Sequence, residues 1–267
     1  MLRLGDKGEG VRTWQEVLVS EGARIVVDGD FGRATHNATL AYQARHGLPT
    51  TGVVDSQEWD TAAQLTGRSI PPPPTLPHTI PYVEARFFAR IVRRPRLITL
   101  HSMEAAEAST TAERCAAYLA NLPRDLPKKD WKSTGYCIDS AHVVQCVPDH
   151  LVAYHAPGVN EIAIGLEHAG YARQTREEWL DDFGERMLRL SVQLSARLCR
   201  TWKIRPIFIA AADLPACVAD TSVSGFTTHA EVSQAFHRST HMDPGPGFPL
   251  DWYLERVAAE LVVEGNV

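Results

Sequence analysis

Leu97-Ile98-Thr99-Leu100-His101 is a short apolar run that ends on a histidine. It reads as a β-strand, and its last residue sits where a side chain can reach beyond the sheet into a cleft. Two stretches answer it far downstream: Thr228-His229, and Asp243 in Met242-Asp243-Pro244-Gly245-Pro246. Singly, each has an ordinary reading as a surface histidine or a turn aspartate. Together, two imidazoles and a carboxylate from distant stretches are the donor set of a catalytic zinc site, in which three protein ligands leave the fourth position open for water. The Pro-Gly-Pro turn after Asp243 would hold its carboxylate still.

Outward from this run the chain alternates strands and helices. Ser140 to Val147 and Ile162 to Glu167 read as strands, Thr110 to Leu122 and Thr175 to Trp202 as helices, and residues 251–262 as a closing helix. Thr175 and Glu178 stand in capping-box register, and Leu180, Phe183, Met187, Leu190, Leu194 and Leu198 form one buried stripe. The order implies an α/β fold: a mixed central sheet flanked by helices, with the long helix packed across it.

Composition breaks at Pro71-Pro72-Pro73-Pro74, where four prolines favour an extended spacer. The expected organisation is residues 1–67, a Pro-rich linker over 68–80, and residues 81–267. The first part reads as a small all-α domain of three helices. Val11, Trp14, Val17 and Leu18 recur at helical spacing up to Gly22; Ala34 to His46 is closed by Gly47; Asp55 caps a third helix with Glu58 in capping-box register. Leu4, Phe31 and Trp59 are its expected core. Asp28-Gly29-Asp30 reads as a plain turn, since no bidentate glutamate follows at calcium-loop spacing.

The 267 residues carry 27 Lys and Arg against 32 Asp and Glu, a net charge of −5. Neither part has a basic excess, which argues against nucleic acid and anionic membranes as partners. No apolar stretch approaches the roughly 20 residues that span a bilayer. The N-terminus lacks the apolar core of a secretory signal, so synthesis in the cytoplasm without a signal peptide is expected. The five cysteines form no C-x-x-C pair and read as buried small hydrophobes, with a Cys137–Cys146 bridge disfavoured in a cytoplasmic product.

Two resemblances sharpen this reading. Leu4-Gly5-Asp6-Lys7-Gly8 with Val11 and Gln15, Asp28 to Gly32 with Thr35, Tyr42-Gln43 with His46-Gly47-Leu48-Pro49, and Thr51 to Asp55 closely resemble the peptidoglycan-binding domain of bacterial and phage wall hydrolases. Ile98 to His101, Ser140-Ala141-His142-Val143-Val144, Val152-Ala153-Tyr154-His155-Ala156, Ile164-Gly165-Leu166-Glu167, Thr228-His229 and Asp243 to Pro249 resemble the type-2 N-acetylmuramoyl-L-alanine amidases, a family that includes the peptidoglycan recognition proteins.

The second resemblance implies one Zn2+ per chain on His101, His229 and Asp243, with Glu167 as the catalytic glutamate. Zinc would lower the pKa of its water from about 15.7 toward 7. Glu167 would take that proton and pass it to the departing L-alanine amine. His241 stands where many relatives have a lysine and would assist the oxyanion. Ala141 replaces a tyrosine of other members, and Tyr154 a frequent tryptophan. The gap between His229 and Asp243 is long and leaves His237 open as an alternative ligand. His155, Tyr154 and His142 are candidate substrate-binding residues, with His142 also open as a residue that orients a ligand. Lys128, Lys129 and Lys132 lie in an apparent insertion, read first as a solvated loop.

The implied partner is bacterial peptidoglycan, with no nucleic acid, no membrane insertion and no obligate protein partner. In this reading the chain looks like a phage endolysin that reaches the wall after release. Two alternatives are a non-catalytic peptidoglycan receptor and a cytosolic amidase recycling muropeptides.

Overall fold

A computed structural model describes residues 2–66 and 74–263. Residues 68–73 of the expected linker, Pro71 to Pro73 among them, lie outside the described residues. The chain divides into two compact units, Met1–Pro74 with Leu180–Glu185, and Thr75–Trp179 with Arg186–Val267.

The first unit contains α1 (Glu9–Ser20), α2 (Arg33–Arg45) and α3 (Ser56–Thr66). Trp14 is fully buried between Tyr42 and Trp59, ring centres 5.0 and 5.3 Å away in edge-to-face contact. A buried aromatic of this size is worth roughly 3–5 kcal/mol against alanine. The capping box at α3 forms: the Asp55 amide donates to Glu58 Oε2 at 2.7 Å, and the Gln57 amide donates to Asp55 Oδ1 at 2.7 Å. The Asp28-Gly29-Asp30 turn is tied down by Gln15, whose Oε1 accepts from the Asp28 and Gly29 amides at 3.0 and 2.8 Å. Phe31 and Trp59 are buried as expected, but Leu4 is 50% exposed. The chain turns at Gly5 (φ 91°), so Leu2, bridged to Val54, enters the core in its place.

The second unit is built on a five-stranded sheet. Its strands are β1 (Leu97–Ser102), β2 (Tyr136–Ile138), β3 (Val143–Gln145), β4 (Ala163–His168) and β5 (Gly225–Thr228), in the order β3-β2-β4-β1-β5. Pairings are parallel except β2 with β3. All six residues of β1 are buried. A central parallel strand is covered on both faces, which is why this run is continuously apolar and not alternating. In register, His101 lies beside Glu167 and Leu100 beside Thr228. The carboxyl ends of β1, β4 and β5 therefore deliver His101, Glu167 and His229 to one edge of the sheet, the customary place for a site in such sheets.

The helices that follow in the chain are α4 (Thr111–Ala120), α5 (Arg176–Trp179), α6 (Asp182–Trp202, which enters this unit at Arg186), α7 (Leu214–Ala219), α8 (His229–Phe236) and α9 (Leu250–Val263). The expected long helix from Thr175 is thus interrupted. Its capping box forms, Thr175 N donating to Glu178 Oε2 at 2.7 Å, but Asp181 then starts a second helix by accepting from the Gly184 amide at 2.8 Å. Met187, Leu190, Leu194 and Leu198 are buried, whereas Leu180 and Phe183 at the interruption are only half-buried. β2 and β5 were not expected; three or four residues are too few for a period to show. All five cysteines are free thiols, with Cys137 and Cys146 Sγ atoms 3.7 Å apart. Among the described residues, no helix is long and apolar enough to cross a membrane.

His168, at the end of β4, joins sheet to helices. Its Nδ1 meets the His101 carbonyl at 2.9 Å and its Nε2 meets Ser191 Oγ on α6 at 2.7 Å; Ser191 Oγ in turn lies 2.6 Å from the Tyr253 hydroxyl on α9. Burial holds this imidazole down at about 4 against an ordinary 6.5. The folded state refuses a proton that the unfolded chain takes up. Stability is therefore full above about pH 6.5 and falls toward pH 4, by about 3 kcal/mol in all for this group. Urea melts in the presence of a chelator at about pH 7, 6 and 5 check this. The wild-type protein should lose about 0.7 kcal/mol more than His168→Gln between pH 7 and 6 and about 1.2 kcal/mol more between pH 6 and 5, and parallel slopes would assign the proton elsewhere.

Candidate metal centre and active site

Each of the three candidate ligands is held by its own element. His101 is the penultimate residue of β1, and His229 is the first residue of α8. Thr228 caps α8, its Oγ1 accepting from the Glu231 amide at 3.3 Å, which sets where the helix begins. The Ala230 amide donates to the Asp243 carbonyl at 3.0 Å and so fastens the aspartate loop to the same helix end. Gly245 (φ 87°) lies against the Ala172 carbonyl, where any Cβ would overlap, so the Pro-Gly-Pro turn can pack only with glycine at its centre.

These elements bring His101, His229 and Asp243 together. Asp243 Oδ2 is 3.0 Å from His101 Nδ1, and Oδ1 is 3.2 Å from His229 Nδ1. One ligand atom from each lies within 4.8 Å of the others, and all three residues are buried. The far nitrogens are engaged elsewhere: His101 Nε2 lies 3.0 Å from His155 Nδ1, and His229 Nε2 lies 3.2 Å from Ser239 Oγ. Both Nδ1 atoms are thereby aimed at the carboxylate. Two imidazole nitrogens and a carboxylate on one point, each imidazole oriented by an outer hydrogen bond, suit a divalent metal.

Burial pushes the His101 imidazole below its ordinary value, with the Asp243 carboxylate acting against it. For Asp243, burial raises the carboxyl, but the hydrogen bonds and charge of His101 and His229 outweigh it and hold the group well below the usual carboxylate range. Asp243 is therefore held as the charged carboxylate that a cation needs. Glu167 Oε1 lies 4.0 Å from His101 Nδ1. Burial, seconded by surrounding negative groups including Asp243, pushes its carboxyl well above the ordinary glutamate value. A carboxyl raised in this way holds its proton more tightly than an ordinary glutamate, as a group that takes and returns a proton must.

A cleft of about 820 Å³ opens over the trio and includes Glu167, Tyr154, His155, Trp131 and Arg238 in its lining. Lys128, Lys129 and Lys132, expected as a solvated loop, line one wall of it. His241 stands at the rim, its ring stacked on His229 at 4.4 Å and its Nδ1 3.4 Å from Asp243 Oδ1, with 63% of its side chain exposed. Tyr154 is half-buried and lies 6.0 Å from Trp131, ring centre to ring centre. His155 reaches the cleft but is buried, its ring turned onto His101.

Two candidate histidines lie away from the trio. His142 is not among the cleft residues: it precedes β3, with Nδ1 2.8 Å from the Ser109 carbonyl and its side chain 43% exposed. A one-sided hairpin tip, not a core strand, carries it, because β3 begins only at Val143. His237, the alternative ligand, is exposed at the left-handed end of α8 (φ 53°) and outside the trio. Sequence reasoning passed over Ser239 and Cys115, both in the cleft lining; a serine in a loop and an isolated cysteine carry no periodic signal.

Residues 92–246 match the family described as N-acetylmuramoyl-L-alanine amidase, and residues 7–61 match the putative peptidoglycan binding domain. No curated protein matches the chain. Among solved structures, the Staphylococcus aureus hydrolase AmiA, in complex with its ligand, superposes with a TM-score of 0.53 at 13% identity, covering 80% of this chain and 94% of that one. The N-acetylmuramoyl-L-alanine amidase LysC from Clostridium intestinale gives 0.42 at 17% identity, over 67% of this chain and 99% of that one. The Burkholderia AP3 phage endolysin is 41% identical over 26% of each chain, with a TM-score of 0.23. The likeness to AmiA shows a shared α/β fold, and the family match spans more than half of the sequence: this chain belongs to the N-acetylmuramoyl-L-alanine amidase family.

Proposed function

We propose that this protein is a zinc-dependent amidase that cuts the bond between the lactyl carbonyl of N-acetylmuramic acid and L-alanine in bacterial peptidoglycan. The observation that carries this reading is the convergence of His101 Nδ1, His229 Nδ1 and the Asp243 carboxylate beside a carboxyl of raised pKa, Glu167. One zinc ion per chain, held by that trio, supplies an acidified water and a Lewis acid for the amide carbonyl. Glu167 takes the proton of the attacking water and delivers it to the leaving nitrogen of L-alanine. His241, at the rim and braced on His229, donates a hydrogen bond to the oxyanion that develops on the carbonyl. Tyr154 and the lysine-lined wall receive the sugar and the carboxylate-bearing stem peptide.

Residues 1–67 form the wall-binding domain, residues 68–80 the spacer and residues 81–267 the catalytic domain. Tethering raises the local concentration of the cleft on an insoluble polymer. The pairing suits a lytic enzyme of the endolysin type, made in the host cytoplasm and acting on the wall after release. The decisive experiment is digestion of purified peptidoglycan with and without chelator, followed by mass analysis of released ends. Stem peptides beginning with free L-alanine, lost on chelation and restored by zinc, are the expected result. New reducing sugar ends would mean a glycosidase, and binding without release would mean a receptor.

A further inference from the structure

We propose that His155 is a positioning residue: it sets the tautomer and aim of His101 through a hydrogen-bond chain that ends on a backbone carbonyl. The inference rests on the metal reading above for its consequence, and on the geometry alone for the chain itself. The Ala163 carbonyl, 3.2 Å from His155 Nε2, can only accept. His155 must therefore carry its proton on Nε2, and its Nδ1 is a bare acceptor. That acceptor faces His101 Nε2 at 3.0 Å, so His101 in turn holds its proton on Nε2. What remains on His101 is an Nδ1 lone pair aimed at the Asp243 side of the site, the orientation a metal ligand needs. Without His155, the competing tautomer is the stable one: Nδ1–H would donate to Asp243 Oδ2 at 3.0 Å and close the site to a cation.

The fold is built around this placement. Asn160 Oδ1 accepts from the amides of His155 and Ala156 at 3.0 and 2.8 Å, fixing the loop that carries the ring. The ring stands nearly perpendicular to His101, at 83°, with centres 5.1 Å apart. It lies directly over Gly165 of β4, where an added Cβ would come 2.8 Å from His155 Cγ and 2.9 Å from Nδ1. The glycine two residues before Glu167 therefore makes room for the histidine that orients His101.

The test uses the full chain and two readouts other than activity: zinc affinity by competition with a chromophoric chelator, and imidazole nitrogen shifts of the metal-free protein. His155→Leu, of similar size and without a hydrogen bond, should bind zinc about 10- to 100-fold more weakly. His155→Gln, whose amide can accept from His101 and donate to Ala163, should stay within a few-fold of wild type, which keeps the inference falsifiable if the leucine variant fails to fold. In the wild-type protein, His155 should carry its proton on Nε2. Wild-type zinc affinity in His155→Leu, a glutamine variant as impaired as one with no hydrogen bond at all, or a proton on His155 Nδ1 would each overturn the inference. If the wild-type protein takes up no zinc, the metal reading falls, and the nitrogen shifts still decide the chain.

Discussion

His101→Ala should reduce release of stem peptides from purified walls by at least about a thousandfold while leaving wall binding intact. The size of the loss follows from what the ligand set does. Acidifying a water from about pKa 15.7 to near 7 changes the supply of nucleophile at neutral pH by many powers of ten, and two remaining ligands hold zinc too weakly to retain it at ordinary concentrations. Only residual proximity and oxyanion contacts are left. Binding should survive because the first unit, proposed to bind the wall, has its own core around Trp14, Tyr42 and Trp59. Asp243→Ala should behave in the same way, since its two oxygens face both imidazoles. The checks are peptide release by mass analysis, metal content, and pelleting with walls. Turnover near the wild-type level in His101→Ala would remove that residue from the ligand set.

Glu167→Gln should separate metal binding from chemistry. Its Oε1 is near His101 without belonging to the trio, so zinc content should stay at one per chain. Turnover should fall about 10²- to 10⁴-fold, the usual contribution of a positioned general base. The pH profile gives an independent check. Burial raises this carboxyl, so it is still protonated at pH values where an ordinary glutamate has ionised. Activity in the wild-type protein must therefore fall as pH drops through a value above 4.5. A bound cation pulls that midpoint down again, though its charge does not abolish the limb. In Glu167→Gln the limb should vanish along with the rate. An unchanged acid limb in the variant would assign the base to another group.

Much of the site was legible because its residues sit at positions where local rules apply. His101 ends an apolar run and Asp243 precedes a Pro-Gly-Pro turn, whereas the helix that His229 opens was not expected. The capping boxes at Asp55 and at Thr175 were readable for the same reason, as a hydrogen bond spanning three residues leaves its mark in sequence. His142 and His155 were less so. Both follow small or apolar residues, and nothing local distinguishes a hairpin tip with an exposed ring from a loop whose ring is buried on a ligand.

By itself, the sequence determined which residue types are present, where most helices begin, and that the apolar run before His101 is a strand, because those properties depend on neighbours within a few positions. Tertiary structure alone decided the rest. Parallel register placed His101 beside Glu167, and a restart at Asp181 broke the long helix in two. Packing of one ring over Gly165 then turned His155 onto His101 and so set the direction of a hydrogen-bond chain that fixes which imidazole nitrogen is free. Register, ring orientation and proton position all depend on partners far away in the chain, and no local period encodes them.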